Sequence, residues 1–124
     1  MDINTALASI EKNAKSSQHF IAELAARFKI VMPSLTEVVT QKSWFSKEEK
    51  IIELKINLEN LVYRVELSRN GTILTFIDQI VRGIRIKSEE LKFSEWNEKL
   101  SEDLKRQASD RLKEEIQLDL LLGV

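Results

Sequence analysis

Between Lys50 and Lys87 apolar and polar residues alternate, and this period of two limits the fold more than any other feature of the chain. Ile52, Leu54, Ile56 and Leu58 share one parity, and Leu61, Tyr63, Val65 and Leu67 repeat it in the next run. Residues of one parity lie on one face of a strand, so each run reads as a half-buried strand. Arg69-Asn70-Gly71-Thr72 then supplies Asn-Gly, the dipeptide that most readily takes the positive φ angles of a two-residue type I′ turn. The segment therefore reads as an antiparallel meander of three to four strands.

Two turns set the expected registers. In the first hairpin a two-residue loop, Glu59-Asn60, places Lys55 opposite Arg64 and Glu53 opposite Glu66. A four-residue loop, Glu59 to Val62, instead pairs Lys55 with Glu66 and Asn57 with Arg64. Like charges directly opposite one another are unfavourable, so the longer loop is expected. In the second hairpin, a two-residue turn puts Leu67 opposite Leu74, Val65 opposite Phe76 and Tyr63 opposite Asp78. The run continues through Ile80 to Ile86 with Gly83 as the place for a bulge or bend, a pattern that fits one bent strand or two.

Helical periodicity flanks the sheet. Ile3, Leu7, Ile10, Ala14, Ser17, Ile21, Leu24, Phe28 and Val31 follow steps of four and three, which puts them on one seam of a single helix over 1–32. Pro33 ends that helix. Ser34 and Glu37 have capping-box spacing, so the connector 33–49 is expected to hold a short helix over about 35–42. Trp44 and Phe45 are expected to plug the end of the core. From Ser94, the expected N-cap, Trp96, Leu100, Leu104, Ala108, Leu112, Ile116 and Leu120 recur every four residues on a helix over 94–122, with Gly123 as its C′ residue. The whole, 1–124, is expected to be a single α+β domain: a long N-terminal helix, the sheet at 50–87, and a long C-terminal helix on one face.

Charge and composition exclude several functions. Nineteen basic and twenty acidic residues leave a net charge of −1, so no whole-molecule field recruits nucleic acid or an anionic membrane. The chain has no cysteine, which removes disulfides, thiolate metal sites and cysteine nucleophiles, and fits a reducing cytoplasm. Met1-Asp2-Ile3-Asn4 lacks the basic and apolar regions of a signal peptide, and no window approaches the roughly 18 apolar residues of a membrane span. His19 is the one histidine, too few for a zinc site or a catalytic triad. Glycines at 71, 83 and 123 form no phosphate-cradling loop. No metal and no cofactor is expected.

Length supplies the functional expectation. A helix of about 28 residues is roughly 42 Å long, about twice a typical strand, and so overhangs a small sheet. Its apolar seam then needs cover from another copy or another protein. Ile3, Leu7, Ile10, Ile21, Leu24 and Phe28, with Leu120 and Leu121, form the candidate partner interface of a non-enzymatic assembly module, most simply a homodimer. Two alternatives come from the sheet. Arg64, Arg82 and Arg85, with Lys87, would make a basic face for nucleic acid, although no exposed aromatic interleaves them for base stacking. Asp78, the one acid whose parity points to the apolar face, would carry a raised pKa and serve a small-molecule site between sheet and helices. Its plainer role is to accept a hydrogen bond from Tyr63.

Overall fold

The computed structural model describes residues 3–42, 44 and 48–107, with the side chain of Ile3 left aside. The order is α1 (Ile3–Asn13), α2 (Ser17–Val31), β1 (Thr36–Lys42), β2 (Glu49–Leu58), β3 (Leu61–Leu67), β4 (Ile73–Val81), β5 (Ile84–Leu91) and α3 (Phe93–Gln107). The five strands pair antiparallel in sequence order, and the helices pack on one face. This is the expected α+β architecture, with five strands in place of three or four.

The expected single N-terminal helix is two helices. Ser16 breaks the seam with an extended backbone (φ −159°), and its Oγ accepts the His19 N–H at 3.1 Å. His19 Nδ1 in turn accepts the Lys15 N–H at 3.0 Å. Side chains that bond the local backbone in this way compete with helix continuation and cap the helix that follows. The break shortens the helices to 11 and 15 residues, roughly 16 and 22 Å. Helices of that length fit over the sheet. α1 turns back against α3, where Asn97 Nδ2 donates to the Asn4 carbonyl at 2.8 Å.

Residues expected to form a short helix at 35–42 form the edge strand β1. Thr36, Val38, Val39 and Thr40 are β-branched, a class that favours the pleated surface over the helix, and β2 is available to pair with them. Thr36 also closes α2, because its Oγ1 donates to the carbonyls of Phe28 (3.2 Å) and Met32 (2.8 Å). Trp44 does not plug the core. It lies 98% exposed beyond β1, where Thr40 to Lys42 and Glu49 to Lys50 are exposed too. Phe45 lies outside the described residues.

The three hairpins from β2 to β5 depart from the expected turns or settle them. β2 and β3 are joined by the two-residue loop Glu59-Asn60, so Lys55 does stand opposite Arg64 and Glu53 opposite Glu66. The shorter loop keeps Leu61 and Val62 in the ladder, and neighbours relieve the like charges: Lys55 Nζ reaches Glu53 Oε1 at 3.3 Å, while Arg64 turns to Asp78 and Glu66. Between β3 and β4 the loop has three residues. Ser68 N–H donates to Thr72 O at 2.9 Å, Gly71 N–H donates to Ser68 O at 3.0 Å, and Gly71 alone of the loop takes positive φ, +84°. This is a turn closed by a G1-type bulge, one residue longer than a type I′ turn. The Thr72 N–H holds it, donating to both Ser68 Oγ and Asn70 Oδ1 at 3.1 Å.

That extra residue moves the β3–β4 register by one. Leu67 faces Ile73, Val65 faces Thr75 and Tyr63 faces Ile77. A one-residue slip exchanges the two faces of a strand, so Ile73, Thr75 and Ile77 turn to the helices while Phe76, Asp78 and Ile80 turn away. Beyond Val81 the run is two strands, because Arg82 (φ 52°) and Gly83 (φ +79°) make the type I′ turn that the Asn-Gly pair does not.

The core lies between the sheet and the helices. Leu7 of α1, Ile21, Leu24 and Phe28 of α2, and Trp96, Leu100 and Leu104 of α3 are fully buried against Leu54, Ile56, Tyr63 and Val65. Phe20 meets Phe93 edge-on at 5.0 Å between ring centroids, Phe93 stacks on Trp96 at 5.7 Å, and Trp96 Nε1 donates to the Phe76 carbonyl at 3.1 Å. The expected four-residue stripe of the last helix therefore holds through Leu104. Its continuation, with Leu120, Leu121 and Gly123, lies outside the described residues.

Candidate functional site: the uncovered face of the sheet

The face that the described helices leave bare carries the charged side chains Glu53, Lys55, Arg64, Glu66 and Asp78 together with the apolar Val62, Phe76 and Ile80. Adjacent strands place Arg64 of β3, Asp78 of β4 and Ser88 of β5 side by side, with Asp78 directly opposite Ser88. Arg64 Nε donates to Asp78 Oδ2 at 2.8 Å, and its second terminal nitrogen reaches Asp78 Oδ1 and Ser88 Oγ, both at 3.2 Å. Ser88 Oγ donates to Asp78 Oδ1 at 2.6 Å. Arg64 also pairs with Glu66, and its guanidinium lies over the Phe76 ring, 4.1 Å from the centroid. Arg85 approaches Asp78 Oδ2 at 3.7 Å. Around this cluster lies a groove of about 860 Å³. Its charged lining is Glu37, Glu53, Glu66 and Asp78 against Lys55, Arg64 and Arg85, close to neutral.

Electrostatics fix the state of the central pair. Desolvation pushes the Asp78 carboxyl up, but hydrogen bonds from Arg64 and Ser88 and the charges of Arg64 and Arg85 outweigh it and hold the group below the ordinary carboxylate value. Burial by itself would lower the Arg64 pKa, yet the hydrogen bond and charge of Asp78 leave it raised. Both groups are thus locked in their charged forms. A carboxylate held so firmly ionised is a poor proton donor at neutral pH, and one already bonded to a guanidinium is a poor base.

The expected raised pKa of Asp78 is therefore corrected, and the register is the reason: Asp78 faces away from the apolar core. Tyr63 does not bond it. The Tyr63 hydroxyl donates to Asp103 of α3, and desolvation together with that bond drives the Tyr63 pKa well above its ordinary value. Of the expected basic patch, Arg64 and Arg85 do meet, but at Asp78 and in a groove that Glu37, Glu53 and Glu66 also line. Arg64 is only 7% exposed and saturated by acceptors, Arg82 sits at a turn, and Lys87, opposite Gln79, belongs to the helix-side parity.

The helical candidate interface is core. Ile21, Leu24 and Phe28 of α2 are fully buried against the sheet of the same chain, Leu7 of α1 is fully buried in the same core with α1 packed on α2 and α3, and Ile10 is half-buried against that core. The break at Ser16 is the cause, since it lets α1 fold back onto α2 and α3 while α2 lies on the sheet. Ile3's side chain, Leu120 and Leu121 are outside what the structure describes. Glu66, Phe76 and Ser88 were not singled out from sequence. The signal was a polar or ring-bearing residue on the non-core parity of three successive strands, legible only with the β3–β4 register in hand.

A second cavity, about 630 Å³, opens at the α1–α2 break over Phe20, Ile73, Leu91 and Phe93, with Glu11, Glu90, Glu95 and Lys92 around it. It lies between sheet and helices, but Asp78 is not part of its wall. Among the described residues there is no group of three or more His, Asp or Glu side chains placed to hold a metal, and no helix long and apolar enough to cross a membrane. Set against protein-family models, curated proteins and solved structures, the chain matches none of them.

Proposed function

We propose that this chain is a non-enzymatic interaction module that self-associates through its sheet, in a cytoplasmic setting that its cysteine-free composition suits. The observation that carries the reading is the open sheet. Among the described residues β1 and β5 are each paired on one side only, and β5 is exposed from Ile84 to Glu90. An exposed strand edge presents unpaired N–H and C=O groups that a further strand satisfies. The mutual saturation of Arg64, Asp78, Glu66 and Ser88 supports a structural role for the one buried ionic cluster on the bare face, which favours binding over catalysis. Size-exclusion chromatography with light scattering, run at roughly 10–200 µM to bracket affinities of common assemblies, is expected to give a dimer, twice the 14.4 kDa chain mass. A single-chain mass over the whole range would overturn the reading.

A further inference from the structure

The geometry points to β5 as the edge at which two copies of this chain join, antiparallel and centred on Ser88, turning two five-stranded sheets into one of ten strands. The inference rests on the self-associating reading above and goes beyond it by naming the edge, the register and the pairs that select them.

The backbone phase comes first. Ile80 N–H donates to Asn60 O at 2.8 Å, so the even-numbered residues of β4 direct their main-chain groups to β3 and the odd-numbered ones to β5. Gln79 with Lys87, Ile77 with Glu89 and Thr75 with Leu91 are then the pairs that exchange the β4–β5 bonds. The N–H and C=O of Ser88 and Glu90 point the other way, out of the sheet edge. Among the described residues nothing overhangs them. α3 lies over β3 and β4, where Trp96 bonds the Phe76 carbonyl and Tyr63 bonds the Lys99 carbonyl, while Ile84 to Glu90 are all exposed.

Charge selects the partner. Charged residues on an edge ordinarily discourage a further strand. On β5, however, the signs are segregated, with Arg85 and Lys87 first and Glu89 and Glu90 after. A two-fold axis normal to the sheet keeps each residue on its own face, so only positions of equal parity stand opposite one another. Centred on Ser88, that rule sets Lys87 against the partner's Glu89, and by symmetry Glu89 against the partner's Lys87. These fall at non-hydrogen-bonded positions, where side chains approach most closely. Registers centred on Lys87 or Glu89 set that residue against its own copy and are disfavoured. The other edge has no such match: the charges of β1, Glu37 and Lys42, differ in parity, so no two-fold register opposes them. Ile86, 59% exposed, is the extra residue of a β-bulge against β4, so the regular edge that the pairing uses runs from Lys87 to Leu91.

The test uses the full chain and four variants. Glu89→Lys turns both Lys–Glu pairs into Lys–Lys pairs and is expected to weaken the dimer roughly ten-fold or more, with the circular dichroism spectrum unchanged because the side chain is exposed. The double swap Lys87→Glu/Glu89→Lys restores opposite charges in the same register and is expected to restore the dimer. Ser88→Cys supplies the chain's only thiol, and a residue on the two-fold axis is expected to cross-link to its own copy under mild oxidation, while Gln18→Cys, on α2, does not. A wild-type chain that stays a monomer overturns this inference and the function above together. A wild-type dimer that ignores Glu89→Lys, or that fails to cross-link through Ser88→Cys, overturns the β5 pairing and leaves self-association standing through another surface.

Discussion

The two faces of the sheet both bury side chains, but by different means. On the helix side, burial is by cover: α2 and α3 lie on Leu54, Ile56, Tyr63 and Val65, which are apolar but for the Tyr63 hydroxyl and reach full burial. On the bare side none of the described helices sits, yet Arg64 and Asp78 are only 7% and 3% exposed. Their cover is each other, Ser88, Glu66 and the ring of Phe76. An apolar side chain loses little by being covered by anything apolar, whereas a charge taken from water needs a partner of matched geometry. The bare face meets that condition. Among the described residues no buried side-chain nitrogen or oxygen lacks a hydrogen-bond partner. The covered face is therefore tolerant of what fills it, and the bare face is specific about it.

Substitutions on each side make that contrast measurable. Trp96→Ala removes the largest fully buried side chain of the covered face and should cost about 3–5 kcal/mol, read as a lower denaturation midpoint with an unchanged m-value. Arg64→Met should cost about 3 kcal/mol, because it leaves the Asp78 carboxylate buried without its guanidinium. Adding Asp78→Leu to Arg64→Met should recover most of that loss, to within about 1 kcal/mol of the parent. A double variant no better than the single one would mean that the cost lay in packing, and that the two faces follow one rule.

The smallest effect, and the one that separates the faces most cleanly, is their opposite response to pH. Asp78 titrates below its ordinary 3.8 in the folded chain, so its contribution is complete above that pH and is lost as the pH falls through the lower folded value. Tyr63 titrates above its ordinary 10.0, so its contribution is complete below pH 10.0 and declines as the pH rises beyond it. Unfolding midpoints measured across both ranges should show an acid limb that Asp78→Asn flattens and an alkaline limb that Tyr63→Phe flattens. If either substitution altered both limbs, the two sites would be coupled through the sheet.

The elements of this fold were legible where periodicity was strong. The alternation at 50–67 placed β2 and β3, and the four-residue spacing of Trp96, Leu100 and Leu104 placed α3. The site was less legible. Arg64 and Asp78 were both visible as candidates, but with Asp78 assigned to the wrong face, since a single turn residue decides parity for a whole strand. Thr36 to Lys42 misled for a related reason, because the Ser34–Glu37 spacing resembled a helix cap and only pairing with β2 makes the segment a strand.

By itself, then, the sequence determined the periods, the α+β class, the balance of charge and the absence of cysteine, because each of these is a property of local spacing or composition. Tertiary structure alone decided the break at Ser16, the three-residue turn at Gly71 and the meeting of Arg64, Asp78 and Ser88. Those depend on free-energy differences of a kcal/mol or so between alternative local geometries, too small to read from the chain and settled only when the neighbouring strands and helices are in place.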